Sequence, residues 1–142
     1  MKVFLDTNIL LDVLNASRPG WAESSAIVEI IKCSDIEAVV TTQSIVDAYY
    51  IAPKHGSDRA TIDSFISWLT IHFNVRYISD FDVRSALRSC NPDFEDAVQV
   101  ACADAEGCDV FLTGDKTILS SEWNTSMLFM SPQQFVDKMR RQ

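Results

Sequence analysis

The sequence contains few of the residues from which zinc sites and disulfide frameworks are built. Its 142 residues include two histidines and four cysteines. The cysteines are scattered and form no Cys-x-x-Cys pair: Cys33, Cys90, Cys102 and Cys108. Neither His55 nor His72 lies beside a cysteine, so no residue pattern supplies a metal partner or a base for a reactive thiol. A zinc site and a catalytic cysteine are therefore not predicted, and we expect free, mostly buried thiols.

Long hydrophobic runs are also lacking. No apolar stretch approaches the roughly 20 residues that a transmembrane helix requires. The N-terminus passes from Lys2 straight into a short apolar run, without the hydrophobic region and cleavage site of a secretion signal. A hydrophobic fraction of 47% and a charged fraction of 23% are typical of one soluble globular domain of this length. We therefore expect a single domain over residues 1–142, located in the cytoplasm.

Basic residues are scarce compared with acidic ones. The chain has 12 lysines and arginines against 20 aspartates and glutamates, which gives a formal net charge of −8. A basic surface for generic nucleic-acid binding is therefore not predicted. An enzyme that grips phosphates through divalent metal ions remains compatible with this charge, because such a site is itself built of carboxylates.

Short apolar segments alternate with segments of helical periodicity along the whole chain. Strands are predicted at 3–5, 37–42, 75–78, 109–113 and 127–130. Helices are predicted at 9–14, 21–33, 44–52, 59–73 and 94–106, with another from Asp80 that ends at Asn91-Pro92 and a last one starting at Ser131-Pro132. Asp80 is expected to cap its helix, and residues 120–125 are expected to be mobile. The alternation indicates the α/β class, with helices around a mostly parallel sheet.

Polar residues follow three of the predicted strands. Asp6 ends the first strand, Thr41 and Thr42 end the second, and Thr113-Gly114-Asp115 ends the fourth. In parallel sheets ligands bind outside the carboxyl ends of the strands, near the point where the strand order reverses. This edge of the sheet is therefore the expected site.

Four acids stand at such positions: Asp6, Asp47, Asp96 and Asp115. Three of them also have a purely structural interpretation, in which they cap a helix, occupy its first turn or form a turn. A shared explanation is a metal site, because carboxylates without histidine or cysteine suit Mg²⁺ or Mn²⁺. Such ions can activate water and neutralise charge on a phosphate. Short polar side chains that could orient the acids or touch a phosphate are Thr7, Asn8 and Thr113.

Three blocks of sequence resemble the PIN domain family, the metal-dependent ribonucleases that include VapC-type toxins of bacterial toxin–antitoxin pairs. The first block is Val-Phe-Leu-Asp-Thr-Asn-Ile-Leu-Leu-Asp at 3–12. The second is Asp-Phe-Glu-Asp-Ala-Val-Gln at 93–99, and the third is Asp-Val-Phe-Leu-Thr-Gly-Asp at 109–115. Their order and spacing agree with the family over essentially the whole chain.

The resemblance implies a three-layer α/β/α sandwich whose five-stranded parallel sheet has the order 3-2-1-4-5. The family's first, third and fourth acids fall on Asp6, Asp96 and Asp115, which would be the metal ligands for Mg²⁺ or Mn²⁺. The hydroxyl that precedes the fourth acid falls on Thr113. The second acid, usually a glutamate, corresponds to Asp47, and Gly114 stands where many relatives have arginine.

The implied function is an endoribonuclease that cleaves RNA, acting as the toxin of a toxin–antitoxin pair, with a cognate antitoxin and a homodimer as expected assemblies. One alternative is an inactive PIN module that binds RNA or protein, suggested by Asp47 and Gly114. Another is a phosphatase with a strand-end aspartate as nucleophile. That class requires Asp-x-Asp, and Asn8 stands at the position of the second aspartate.

Overall fold

The computed structural model describes residues 1–142. The strands are β1 Lys2–Leu5, β2 Glu37–Thr41, β3 Asn74–Arg76, β4 Val110–Leu112 and β5 Leu128–Met130. The helices are α1 Thr7–Val13, α2 Trp21–Lys32, α3 Thr42–Ile51, α4 Arg59–His72, α5 Asp80–Ser89, α6 Phe94–Ala105, α7 Lys116–Ser120 and α8 Pro132–Arg140. A 3₁₀ turn, Ala52–His55, follows α3.

The five strands form one parallel sheet in the order β3-β2-β1-β4-β5. The central strand is β1, in which Phe4 lies opposite Val39 of β2 on one side and Phe111 of β4 on the other. This arrangement confirms the expected fold class and strand order. Since β1 and β4 are neighbours with the same direction, the residues that follow them lie side by side at the carboxyl edge.

Side chains that alternate along β1 supply two separate hydrophobic cores. Val3 and Leu5 face a core shared with α1, α2, α3, α4 and α8. Phe4 points to the opposite face, where it stacks on Phe111 with ring centroids 5.0 Å apart and packs with α5 and α6. Burial on both faces explains why β1 is a continuous apolar run. It also makes β1 the rigid centre from which Asp6 projects.

Two helix starts and one helix cap differ from those expected. Helix α1 begins at Thr7 instead of Ile9, and α3 begins at Thr42 instead of Ser44. Ser79, not Asp80, caps α5: its hydroxyl accepts from the backbone N–H of Asp82 at 3.3 Å, and the Asp82 carboxylate accepts from the N–H of Ser79 at 2.8 Å. This reciprocal pair requires an acid three residues after the cap, which Asp82 provides. The short helix α7 was not predicted, and it overlaps the segment expected to be mobile.

Only half of the cysteines are buried. Cys33 and Cys90 are exposed, which corrects the expectation of mostly buried thiols, and all four are free. Burial raises the pKa of Cys102 and Cys108 to about 12, so both remain protonated thiols. No helix of the structure combines the length and the apolar character needed to cross a membrane.

Candidate active site at the carboxyl ends of the central strands

Asp6 lies directly after β1 and is the N-cap of α1. Its Oδ1 accepts a hydrogen bond of 2.6 Å from the backbone N–H of Thr7. Its Oδ2 accepts from the Asn8 amide and from the Thr113 hydroxyl, each at 2.7 Å. The structural interpretation of Asp6 as a cap is thus correct, but the cap uses only one oxygen. The second oxygen is oriented by side chains from α1 and from the end of β4.

Burial raises the pKa of Asp6, which is only 5% exposed. The hydrogen bonds from Thr113 and Thr7 act in the opposite direction, and the charges of Glu95 and Asp115 add to the rise. No basic group is among these influences. Asp6 is therefore a buried carboxylate without a protein cation, and it would gain from an external one.

The segment after β4 is connected to Asp6 by hydrogen bonds. The buried Thr113 hydroxyl donates to Asp6 and accepts from the backbone N–H of Asp115 at 3.0 Å. The Asn8 side chain spans the same two strand ends, because its amide donates to Asp6 and its Oδ1 accepts from the N–H of Gly114 at 3.0 Å. Asp115 then caps α7 through its Oδ1. Asp6 and Asp115 thus belong to one hydrogen-bonded unit.

Asp96 lies in the first turn of α6, whose N-cap is Asp93. Its pKa is raised to about 7, first by burial and then by the negative charges of Asp93, Asp115 and Asp6. A like charge shifts a carboxylate in this way only at short range. The structure therefore brings Asp6, Asp96 and Asp115 together at one edge of the sheet.

The charge of Asp47 acts on a different acid, Glu95. Asp47 lies on α3, where its Oδ1 accepts from the Gln43 side chain at 2.8 Å. Burial raises the pKa of Glu95, and the charge of Asp47 is the largest charge contribution to that rise. Asp47 is not among the main charges that act on Asp6 or Asp96. The charge of Asp47 thus acts on Glu95, and the charge of Glu95 acts on Asp6 and Asp96. Sequence reasoning missed Glu95, whose only sequence signal is the acidic run around it.

A buried chain of polar side chains, of which the sequence analysis named only Thr7 as a site residue, lies beneath the acids. Gln99 of α6 donates to the Thr7 hydroxyl at 3.4 Å, and Thr7 donates to the Ser44 hydroxyl at 2.8 Å. The Thr41 hydroxyl donates to Ser44 at 3.1 Å. The Gln99 Oε1 atom is buried without a partner. This chain fixes α1, α3 and α6 relative to one another, and each of these helices carries an acid of the site or begins beside one.

The donor set fits a divalent metal ion that prefers oxygen ligands. All the acids at this edge offer carboxylate oxygens, and neither histidine nor cysteine stands among them. A cation would offset the burial and the neighbouring negative charges that raise the pKa values of Asp6 and Asp96. No group of three or more acidic, histidine or cysteine side chains is positioned to enclose an ion. Binding would therefore require the carboxylates to move closer to one another.

The family model described as "PIN domain" matches residues 2–117. This range includes β1 to β4 and all of the acids described above. The chain belongs to the PIN domain family. The expected family resemblance is thereby confirmed, and the acids at the sheet edge of this PIN domain lie within the matched range.

Individual relatives agree with this assignment. Ribonuclease VapC1 of Aquifex aeolicus is 24% identical over 126 residues, which cover 85% of this chain and 86% of the relative. VapC20 of Mycobacterium tuberculosis, described as a sarcin-ricin loop cleaving toxin, has a TM-score of 0.66 at 14% identity, with 82% of this chain and 92% of that one covered. VapBC2 of Rickettsia felis, solved with a promoter DNA fragment, has a TM-score of 0.68 at 12% identity. The match covers 92% of this chain and 98% of that one.

Proposed function

We propose that this PIN domain is a metal-dependent endoribonuclease that hydrolyses RNA phosphodiester bonds and acts as the toxin of a toxin–antitoxin pair. The observation that carries this proposal is the set of carboxylates without protein cations at the carboxyl ends of β1 and β4. The names of the relatives support the same reaction class, since one is a ribonuclease and another a toxin that cleaves the sarcin-ricin loop.

Asp6, Asp96 and Asp115 are the residues that would hold the metal ion, which we propose to be Mg²⁺ or Mn²⁺. When bound, such an ion supplies Lewis acidity that activates water and stabilises the charge of a phosphate under attack. Asp47 and Glu95 extend the acidic edge away from Asp6. Two divalent ions would halve the formal net charge of −8, which reduces the repulsion of RNA.

The chain's own contribution is to fix the carboxylates in orientation. The backbone N–H of Thr7 holds one oxygen of Asp6, while Asn8 and Thr113 hold the other. The N-terminus of α1 lies beside Asp6, so the partial positive charge of that helix end favours a negative charge at this position. Asp6 therefore needs little reorientation to bind a cation, whereas the other carboxylates have to approach it.

The proposed partners are RNA as substrate, a cognate antitoxin and a second copy of the chain in a homodimer. The Rickettsia felis relative, VapBC2 bound to a DNA fragment from its promoter, supports the antitoxin as a partner. An antitoxin would be expected to cover the acidic edge, because that is where inhibition of cleavage is most direct.

The proposal predicts metal-dependent RNA cleavage that is lost, by about 100-fold or more, in Asp6→Asn and in Asp96→Asn. Cleavage of a labelled RNA is measured with Mn²⁺, with Mg²⁺ and with a chelator, and circular dichroism checks folding. Asp63→Asn, an exposed position on α4, is the matched control and is expected to cleave like the wild type.

Equal cleavage by wild type and both site variants, or cleavage that survives the chelator, would contradict the proposal. Calorimetric titration with Mn²⁺ addresses the alternative of an inactive binding module, which the lack of an enclosed cluster keeps open. A folded wild type that binds no Mn²⁺ and cleaves no RNA would favour that alternative.

A further inference from the structure

A cleft of about 380 Å³ opens beside the acids of the site. Its lining residues come from α1, from the connection to α2 and from the end of β4: Asn8, Asp12, Arg18, Gly20, Gly114 and Asp115. Asn8 and Asp115 are shared with the hydrogen-bonded unit around Asp6. Among the lining residues Arg18 is the one cation. A positively charged group thus borders the acidic edge directly, although sequence reasoning did not select it.

Arg18 is held by a buried acid. Its Nε donates to Asp12 Oδ1 at 2.7 Å, and Asp12 Oδ2 accepts from the Ser24 hydroxyl at 3.0 Å. Asp12 is only 6% exposed. A Cβ atom at Gly20 would lie 2.3 Å from Asp12 Oδ2, so the chain can pass this carboxylate closely only with glycine at that position. The anchor of Arg18 is therefore built from α1, α2 and their connection.

The rest of the guanidinium remains available. No hydrogen bond within the chain uses its two terminal nitrogens, and the side chain is 33% exposed. A guanidinium held at Nε still presents a planar pair of donors that matches two oxygens of a phosphate. The pairing with Asp12 fixes the orientation of that pair and lowers the entropy that binding would cost.

We propose that this cleft binds an RNA phosphate next to the one that is cleaved, with Arg18 as the contacting cation. The inference rests on the proposed ribonuclease function and adds a subsite to it. Gly114 has no side chain, and a Cβ there would contact Asn8 Oδ1 at 3.5 Å. No side chain at position 114 therefore projects between the cleft and Asp115. A chain of nucleotides that crosses the acids can therefore continue past Arg18.

The test measures the affinity of a labelled single-stranded oligoribonucleotide by fluorescence anisotropy in the Asp96→Asn background, in which the RNA stays intact. Adding Arg18→Gln is expected to weaken binding about tenfold and to reduce the slope of log K against log salt by about 0.7. Mn²⁺ affinity of the otherwise wild-type chain is expected to be unchanged. Arg84→Gln is the matched control, because Arg84 is also paired with an acid, Asp80 at 2.9 Å, but is 69% exposed and lies outside the cleft.

Arg18→Lys guards against misfolding, because it keeps a cation beside Asp12 but has no planar fork. This variant is expected to keep the wild-type slope of log K against log salt. Its RNA affinity should be a few times weaker if the planar fork contributes, and equal to that of Arg18 if the charge alone suffices. The inference is overturned if Arg18→Gln binds RNA like Arg84→Gln, or if it loses Mn²⁺ and RNA affinity together. If the reference protein binds no RNA, the proposed function fails as well, whereas RNA binding that is insensitive to Arg18 removes only the subsite.

Discussion

Two buried aspartates of this molecule are in opposite electrostatic situations. Asp82, fully buried on α5, accepts from Arg76 Nη2 at 2.9 Å, and Arg76 Nε also pairs with Glu106 at 3.0 Å. Burial raises the pKa of Asp82, but the hydrogen bonds from Arg76 and Ser79 more than offset this and lower it overall. Asp6 is buried almost as completely and has no cation, so its pKa is raised.

The difference separates a structural polar cluster from the proposed metal site. At Arg76 the charge of the buried Asp82 is balanced by a protein cation, so an added ion is not needed there. Around Asp6 several carboxylates lie close together, held by donors that are neutral. Under the proposed function, a bound metal ion would relieve the repulsion among them. Three substitutions test this contrast, beginning with the one of largest expected effect.

Replacement of the cation should break the balanced cluster. Arg76→Leu leaves Asp82 fully buried without a counter-charge, and we expect the free energy of unfolding to fall by about 3–5 kcal/mol. Urea unfolding followed by circular dichroism measures this loss. Arg84→Leu removes an exposed ion pair and should cost less than about 1 kcal/mol. Similar losses in both variants would show that Arg76 does not balance Asp82.

Neutralising one acid of the site should instead stabilise the metal-free protein at high pH. The pKa of Asp96 is raised from 3.8 to about 7, so the folded chain holds a proton that the unfolded chain has released between these values. Wild-type stability therefore decreases as the pH rises through this window. Asp96→Asn should match the wild type near pH 4 and exceed it by about 1–2 kcal/mol at pH 8, after allowance for partial exposure.

The measurement is thermal unfolding of both proteins from pH 4 to pH 8 in a chelator, followed by addition of Mn²⁺. The ion should raise the melting temperature of the wild type more than that of Asp96→Asn. A stability difference that does not change with pH would contradict the raised pKa of Asp96 in the folded state.

The smallest effect is expected at the buried amide beneath the acids. Gln99 makes one long hydrogen bond to Thr7 and leaves its Oε1 without a partner, so Gln99→Met should change stability by less than about 1 kcal/mol. Chemical unfolding measures this value. A loss of 2 kcal/mol or more would place Gln99 with the balanced cluster around Arg76, as a residue on which the fold depends.

The architecture could be predicted well from the sequence, because the alternation of strand and helix patterns extends along most of the chain. The alternation of apolar strands and amphipathic helices predicted the α/β class, and the resemblance predicted the strand order, both of which are confirmed. Strand ends were less predictable, since β3 pairs only over Asn74–Arg76, where its register with β2 ends. The helix α7 spans five residues and is too short for a periodic signal. Asp115, whose structural interpretation from the sequence was a turn residue, is its N-cap.

Much of the site was also predictable, because Asp6, Asp96 and Asp115 stand in three recognisable blocks; their catalytic roles remain predictions. Glu95 and Gln99 were missed. They share one face of α6 at a spacing of four residues, but only the folded chain shows that this face looks toward α1 and α3. Arg18 was missed for a similar reason. Only the folded chain shows that Arg18 pairs with Asp12, six residues earlier, and lines the same cleft as Gly114.

Asp6 is the N-cap of α1 and, under the proposed function, also a metal ligand, and this combination has an evolutionary consequence. Asparagine caps helices about as well as aspartate does, so a change at this position removes a negative charge and still allows α1 to begin in the same place. One nucleotide substitution separates the two codons. Under the proposed function, a lineage in which RNA cleavage is no longer selected can lose the reaction by this single change. The fold would be kept and would remain available for other functions.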